Sequence, residues 1–267
     1  HFRVLVNIAY LIGIVVFVPH HSINAAIISY ILSNVVFFVF TSKHVKKYYR
    51  KQSREAFYLT IKQNAHHIKS FAFVGMLSVF LLPFGLVLSR YLLSSSWPLD
   101  QVGYWDALNS SIQAYVSLFT MALSVFVLPE ISRIGGLKGQ KNKLKEIIFT
   151  VLIVLIPAIL FAPLIGEFAV LLLFSDEFID IAPLFFYTFL LGGLRVVLYI
   201  IQIFLMAVER FRLFWLIEFV AFLVPLIISI FSSISSLSLG SYFFVCALCL
   251  ALLLLISVFY IFNGRFS

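Results

Sequence analysis

Eight apolar stretches, at about residues 4–18, 23–40, 71–93, 105–128, 147–165, 182–206, 211–231 and 241–262, take up most of this 267-residue chain. A bilayer core takes roughly 17–25 apolar residues per helix, and all eight meet or approach that length. Composition agrees. Apolar residues make up 63% and Asp, Glu, Lys and Arg 11%, where a soluble domain carries about 45–50% and about 25%. So few charges cannot cover a water-facing surface, and the 31 Phe would aggregate on one. A soluble enzyme is excluded, as is intrinsic disorder, which needs the opposite composition. The fold class is an all-α polytopic membrane protein with eight transmembrane helices.

Pro19-His20-His21-Ser22 is a tight turn that pairs the first two stretches in a hairpin. Pro83, Pro157 and Pro225 stand near the middles of the third, fifth and seventh spans, where each removes a backbone donor and predicts a kink. The apolar segment from Gly166 to Phe174, after Pro163, is too short to span. It is expected to cap the fifth helix at the interface.

Basic residues mark the cytoplasmic side of a membrane protein. Loop 41–70 holds Lys43, Lys46, Lys47, Arg50, Lys51, Arg54, Lys62 and Lys69, and loop 129–146 holds Arg133, Lys138, Lys141, Lys143 and Lys145. Arg210 and Arg212 precede the seventh span, and Arg3 and Arg265 flank the ends. If the spans alternate, these all fall on one side. The other side has no Lys or Arg but carries Asp100, Glu167, Asp176, Glu177 and Asp180. Both ends of the chain are therefore expected to be cytoplasmic. Only Arg90 and Arg195 lie inside spans.

Loop 41–70 divides the chain into a hairpin (1–40), a basic cytoplasmic linker, a six-helix part (71–262) and a short cytoplasmic tail (263–267). Phe57, Ile61, Ala65 and Ile68 recur at spacings of four, four and three, with Lys62, His66 and Lys69 opposite them. That pattern is a basic amphipathic helix lying on the membrane surface. The chain opens on His1 with no signal peptide, and is expected to begin inside a longer protein.

Two spans carry polar stripes. In the fourth, Asp106, Asn109, Gln113, Ser117, Thr120 and Ser124 follow a mean spacing of 3.6 and share one helix face. Six polar residues over the depth of a bilayer favour a hydrated cavity over helix packing, though both readings stay open. In the sixth, Thr188, Gly192, Arg195, Tyr199, Gln202 and Met206 repeat the pattern around a charge. Arg195 lies about 16–18 Å from either edge of its span, at a cost of about 2.5–3.5 kcal/mol on insertion scales. It is either an anion-binding cation in a lumen or half of a structural ion pair with Glu218, and the two can coexist. Arg90 stands three residues from the end of its span and can snorkel. Glu218 and Asp106 are candidates for ion pairing or for coupling to a proton or sodium gradient.

Other signals carry little. Cys246 and Cys249 have metal-pair spacing but lie inside an apolar span, where small-residue packing is the reading. His20-His21 and His66-His67 fall on opposite sides of the membrane, so a shared metal site is geometrically excluded. No phosphate loop or nucleophile motif is present, so no catalytic residue, metal or cofactor is assigned. The positive charge belongs to membrane topology and not to nucleic-acid binding.

Three passages resemble one family. They are Ser89-Arg90-Tyr91-Leu92-Leu93 with Gln101-Val102-Gly103-Tyr104-Trp105, then Ala114-Tyr115-Val116-Ser117 through Leu128-Pro129-Glu130-Ile131-Ser132-Arg133, and Leu172-Leu173-Phe174-Ser175-Asp176-Glu177-Phe178 with Arg212 to Glu218. The chain resembles the Wzx-type O-antigen translocases of the MATE-like (MOP) exporter superfamily, most of all their enterobacterial common antigen subgroup. The resemblance covers roughly residues 70–220 well. It implies about twelve helices in two lobes, with this chain holding the last hairpin of the first lobe and the whole second lobe.

The resemblance further implies a flippase, not an enzyme, in the bacterial inner membrane. It would move undecaprenyl-diphosphate-linked oligosaccharide from the cytoplasmic to the periplasmic leaflet by alternating access. The lipid-linked substrate, membrane lipids and other polysaccharide assembly proteins are the implied partners. Arg195 and Arg90 are the positions carried over, with Asn109, Gln113, Ser117, Tyr199 and Gln202 able to solvate sugar. Relatives have a charged pair in the middle of the fourth span where this chain reads Ser110-Ser111-Ile112-Gln113. The rival readings are a multidrug or other small-molecule exporter of the same superfamily, and a polytopic glycan polymerase or ligase. Mid-membrane Arg counts against a cation exporter, and the short outer loops count against an enzyme.

Overall fold

The computed structural model describes residues 65, 80–81, 83–235 and 237–263. The predicted hairpin, nearly all of the 41–70 linker with its amphipathic helix, the start of the third span and the end of the tail lie outside the described residues. Regular structure among the described residues is all helical: α1 (83–94), α2 (Leu99–Arg133), α3 (Leu137–Leu173), a 3-10 segment (Asp176–Leu184), α4 (Phe185–Ala207), α5 (Phe211–Ser235) and α6 (Leu239–Asn263). Five of these helices, α2 to α6, are long and apolar enough to cross a membrane. Their outward faces carry Phe126, Leu164, Phe168, Leu172 and Ile234, all more than two-thirds exposed. A continuous apolar surface of this kind is stable only against lipid. The chain is an integral membrane protein.

Short turns make successive helices antiparallel. Residues 134–136 join α2 to α3, with Gly136 at φ +84, a conformation open to a residue without a Cβ. The reversal from α4 to α5 is a Schellman turn: the Arg210 amide donates to the Leu205 carbonyl at 2.8 Å and the Glu209 amide to Met206 at 3.2 Å, with Glu209 left-handed at φ 59. These two turns share one end of the bundle with Arg133, Lys138, Arg210 and Arg212. The connections at 95–98 and 174–184 share the opposite end with Asp100, Asp176, Glu177 and Asp180. Basic and acidic ends are thus separated.

Two boundaries differ from the sequence reading. Gly166–Leu173 is not a separate segment capping the helix but the last two turns of α3, which runs unbroken through Pro157 and Pro163. Each proline removes one donor, while continuing the helix satisfies every later amide in hydrocarbon. Gly166 then lets the chain fold back, since a Cβ there would stand 2.5 Å from the Ala182 carbonyl oxygen. The basic stretch 129–146 is likewise mostly helix, broken only at 134–136.

α4 is the central element and packs against α2, α3, α5 and α6. It buries Val196, Val197, Ile200, Ile201, Ile203 and Phe204 on several faces, as a helix surrounded by four others should. Gly192 and Gly193 bring neighbours close: a Cβ at 192 would meet Tyr115 Cε1 at 2.6 Å, and one at 193 would meet Ile159 Cδ1 at 3.2 Å.

Candidate functional site

Arg195 stands ten residues after Phe185 and twelve before Ala207, at mid-depth on the central helix. The residue is half-buried, and its Nη1 is fully buried with no hydrogen-bond partner. The side chains within its electrostatic reach are Cys246, Tyr242 and Glu218. Of these only Glu218 is an acid. On the same face of α4, two turns on, the buried Gln202 donates from Nε2 to Glu218 Oε2. Arg195, Gln202 and Glu218 therefore form one polar neighbourhood between α4 and α5, while Nη1 has no direct acceptor within it. Tyr199, between Arg195 and Gln202 in sequence, is half-buried.

Arg90 and Asp106 form a second pair. Arg90 Nε lies 3.0 Å from Asp106 Oδ2, joining α1 to α2 near the acidic end, with side chains 62% and 33% exposed. Asp106 is thus ion-paired across the 95–98 turn.

The fourth-span stripe divides along its length. Buried Asn109 donates from Nδ2 to the Trp105 carbonyl at 3.0 Å, while Gln113 Nε2 is buried without a partner. Ser117, Thr120 and Ser124 donate to carbonyls three residues back, at 2.8, 3.2 and 2.9 Å. Their hydroxyls need neither water nor a neighbouring helix.

Sequence reasoning missed an aromatic cluster at the acidic end. The edges of Trp97 and Trp105 meet Tyr242 of α6 at centroid separations of 5.9 and 6.3 Å. The Tyr242 hydroxyl lies 3.2 Å from Ser229 Oγ and donates to the Pro225 carbonyl at 3.3 Å. The indole Nε1 of Trp97 is buried without an acceptor, while Trp105 makes a side-chain hydrogen bond with Tyr242. Trp97 in the short turn before α2 and Trp105 within α2 were the available signal, but their partner lies more than 130 residues on. Cys246 and Cys249 are free thiols, with Cys246 buried one turn beyond Tyr242.

At the basic end, Lys143 Nζ bridges Glu130 at 2.8 Å and Glu146 at 3.0 Å, and Lys145 lies 4.8 Å over the Phe262 ring. These contacts tie α2, α3 and α6 together.

The chain is similar to two curated proteins, the Lipid III flippases of Escherichia coli (strain K12) and of Shigella flexneri, each 28% identical over 158 residues. The match covers 58% of this chain and 37% of each relative, so it spans little more than a third of their length. Flippases are transporters, not enzymes. No family model matches the chain, and no solved structure matches it.

Proposed function

We propose that this chain is the second lobe, with the preceding hairpin, of a flippase that carries a polyprenyl-diphosphate-linked oligosaccharide across the bacterial inner membrane. The basic end faces the cytoplasm, following the charge asymmetry of its loops, and both ends of the chain lie there. The whole transporter has about twelve helices in two lobes that alternate access between the leaflets. The cargo is an O-antigen-like or related repeat unit, taken from and handed to the enzymes of polysaccharide assembly.

The observation that carries this reading is Arg195, a cation at mid-depth on the central helix whose buried Nη1 has no acceptor, in a chain whose relatives are named lipid flippases. A diphosphate must bring its charge through hydrocarbon, and a guanidinium at mid-depth lowers that barrier and binds phosphate oxygens bidentately. Arg90 is placed to meet the head group at the acidic end. Asn109, Gln113, Ser117, Tyr199 and Gln202 supply amides and hydroxyls for sugar. Glu218 and Asp106 are the acids through which a proton or sodium gradient would act.

Reconstitution of the full-length gene product in liposomes tests the proposal. A fluorescent polyprenyl-diphosphate saccharide should become accessible to an external reductant faster than in empty vesicles, and a neutral polyprenyl glycoside should not. Equal rates for both lipids would contradict a head-group-specific flippase.

A further inference from the structure

One face of α3 turns from apolar to cationic at the basic end. Lys138, Lys145, Phe149, Ile156 and Leu160 follow spacings of seven, four, seven and four, and so share a single helix stripe. The three apolar members are each more than half exposed, as a lipid-facing surface is, and both lysines are exposed as well. The acids nearby are engaged elsewhere. Lys143 stands two residues before Lys145, on the opposite side of α3, and its Nζ holds Glu130 at 2.8 Å and Glu146 at 3.0 Å. Lys145 rests 4.8 Å over the Phe262 ring, a contact that fixes it between α3 and α6 and neutralises no charge. Neither Lys138 nor Lys145 has a carboxylate partner among the described residues. The one acid on the stripe, Glu167, lies near the opposite end of α3.

An apolar stripe that runs directly into uncompensated cations complements a molecule with hydrocarbon at one end and negative charge at the other. We infer that this stripe docks an anionic phospholipid, with its acyl chains over Phe149, Ile156 and Leu160 and its phosphate on Lys145. Lys138 stands about 10 Å further along the axis, where the charge of an anionic leaflet still acts, over roughly 8–10 Å. A soluble phosphate compound would use the lysines alone and leave the apolar continuation unexplained. The docking requires only that the chain span a membrane, and it does not depend on the flippase reading.

The test uses the purified full-length protein in a neutral detergent, titrated with phosphatidylglycerol or with phosphatidylcholine of the same acyl chains. The thermal midpoint should rise saturably with phosphatidylglycerol and much less with phosphatidylcholine, and inorganic phosphate should not reproduce the rise. Lys145→Gln should weaken the apparent affinity for phosphatidylglycerol about fivefold, and adding Lys138→Gln should bring the loss to about tenfold, as the attraction of surface lysines to anionic lipid implies. Arginine at both positions should retain the response. So should Arg212→Gln, which removes an exposed cation of the same end from another helix. Equal responses to the two lipids, or a response undiminished in the double glutamine variant, would overturn the inference. An Arg212→Gln loss as large as that of Lys145→Gln would overturn it too, by assigning the attraction to the net charge of that end. A rise with inorganic phosphate alone would replace the lipid with a soluble anion.

Discussion

Tyr115 of α2 fills the space that a Cβ on Gly192 of α4 would need, with its Cε1 2.6 Å from where that atom would stand. The ring is held there between Phe119 and Phe189, at centroid separations of 5.1 and 5.3 Å. It cannot retreat without disturbing both. Gly192→Ala should therefore destabilise the lobe by about 1–3 kcal/mol, the usual cost of overpacking. Unfolding in a denaturing detergent measures it, and Tyr115→Leu in the same chain should recover part of the loss. A neutral Gly192→Ala would show that the two helices are not held at this distance.

The Arg90–Asp106 pair should contribute little to stability. Arg90 is 62% exposed close to the end of its span, where its guanidinium can snorkel to water, and water-exposed pairs contribute about 0–1 kcal/mol. Asp106→Asn should shift the unfolding midpoint only slightly. If the pair instead matters for transport, Arg90→Asp and Asp106→Arg should each impair flipping and the exchanged double variant should restore part of it. Failure of the exchange would mean that each residue acts through another partner.

Gln202 is 7% exposed and donates to Glu218. Gln202→Leu removes a donor from a half-buried carboxylate, and should cost about 1–3 kcal/mol. Gln202→Glu should cost more, since it sets two carboxylates in contact. Thermal midpoints that rank leucine below glutamate would contradict the contact.

Gly166 lets the Ala182 carbonyl lie against the last turns of α3. Because the close atom is backbone, Gly166→Ala cannot be absorbed by a side-chain rotation. It should lower the thermal midpoint more than Gly103→Ala, where a Cβ would meet nothing within 4 Å. Equal midpoints for the two variants would show that the 3-10 segment does not pack as described.

Much of the architecture was legible because hydrocarbon imposes a length and a composition on each span. The five spans from the fourth to the eighth correspond to α2–α6, and the split between basic and acidic ends follows from counting charges per loop. What was hidden shares one cause. The continuation of α3 past Pro163 depends on the surrounding medium, since a proline marks a local stop while lipid favours an unbroken helix. The Arg90–Asp106 pair spans a turn whose geometry the residue spacing does not specify. Tyr242 and Trp105 meet because α2 and α6 both lie beside the central helix, a fact of packing that no single periodicity carries. The polar stripes were visible as patterns, yet only the structure separates Asn109, which bonds to a carbonyl one turn back, from Gln113, whose Nε2 has no partner.

Arg195 carries the central claim, and the most direct test follows the lipid in living cells. The full-length gene would be deleted from its host and restored as wild type or as Arg195→Ala, with membrane expression of the variant verified. The leaflet holding the diphosphate-linked oligosaccharide would be read by its accessibility in intact spheroplasts. The account predicts accumulation on the cytoplasmic leaflet in the deletion strain, relieved by wild type and relieved at least about tenfold less by Arg195→Ala, the rate equivalent of about 1.4 kcal/mol. Unchanged glycolipid in the deletion strain, or full relief by Arg195→Ala, would contradict it.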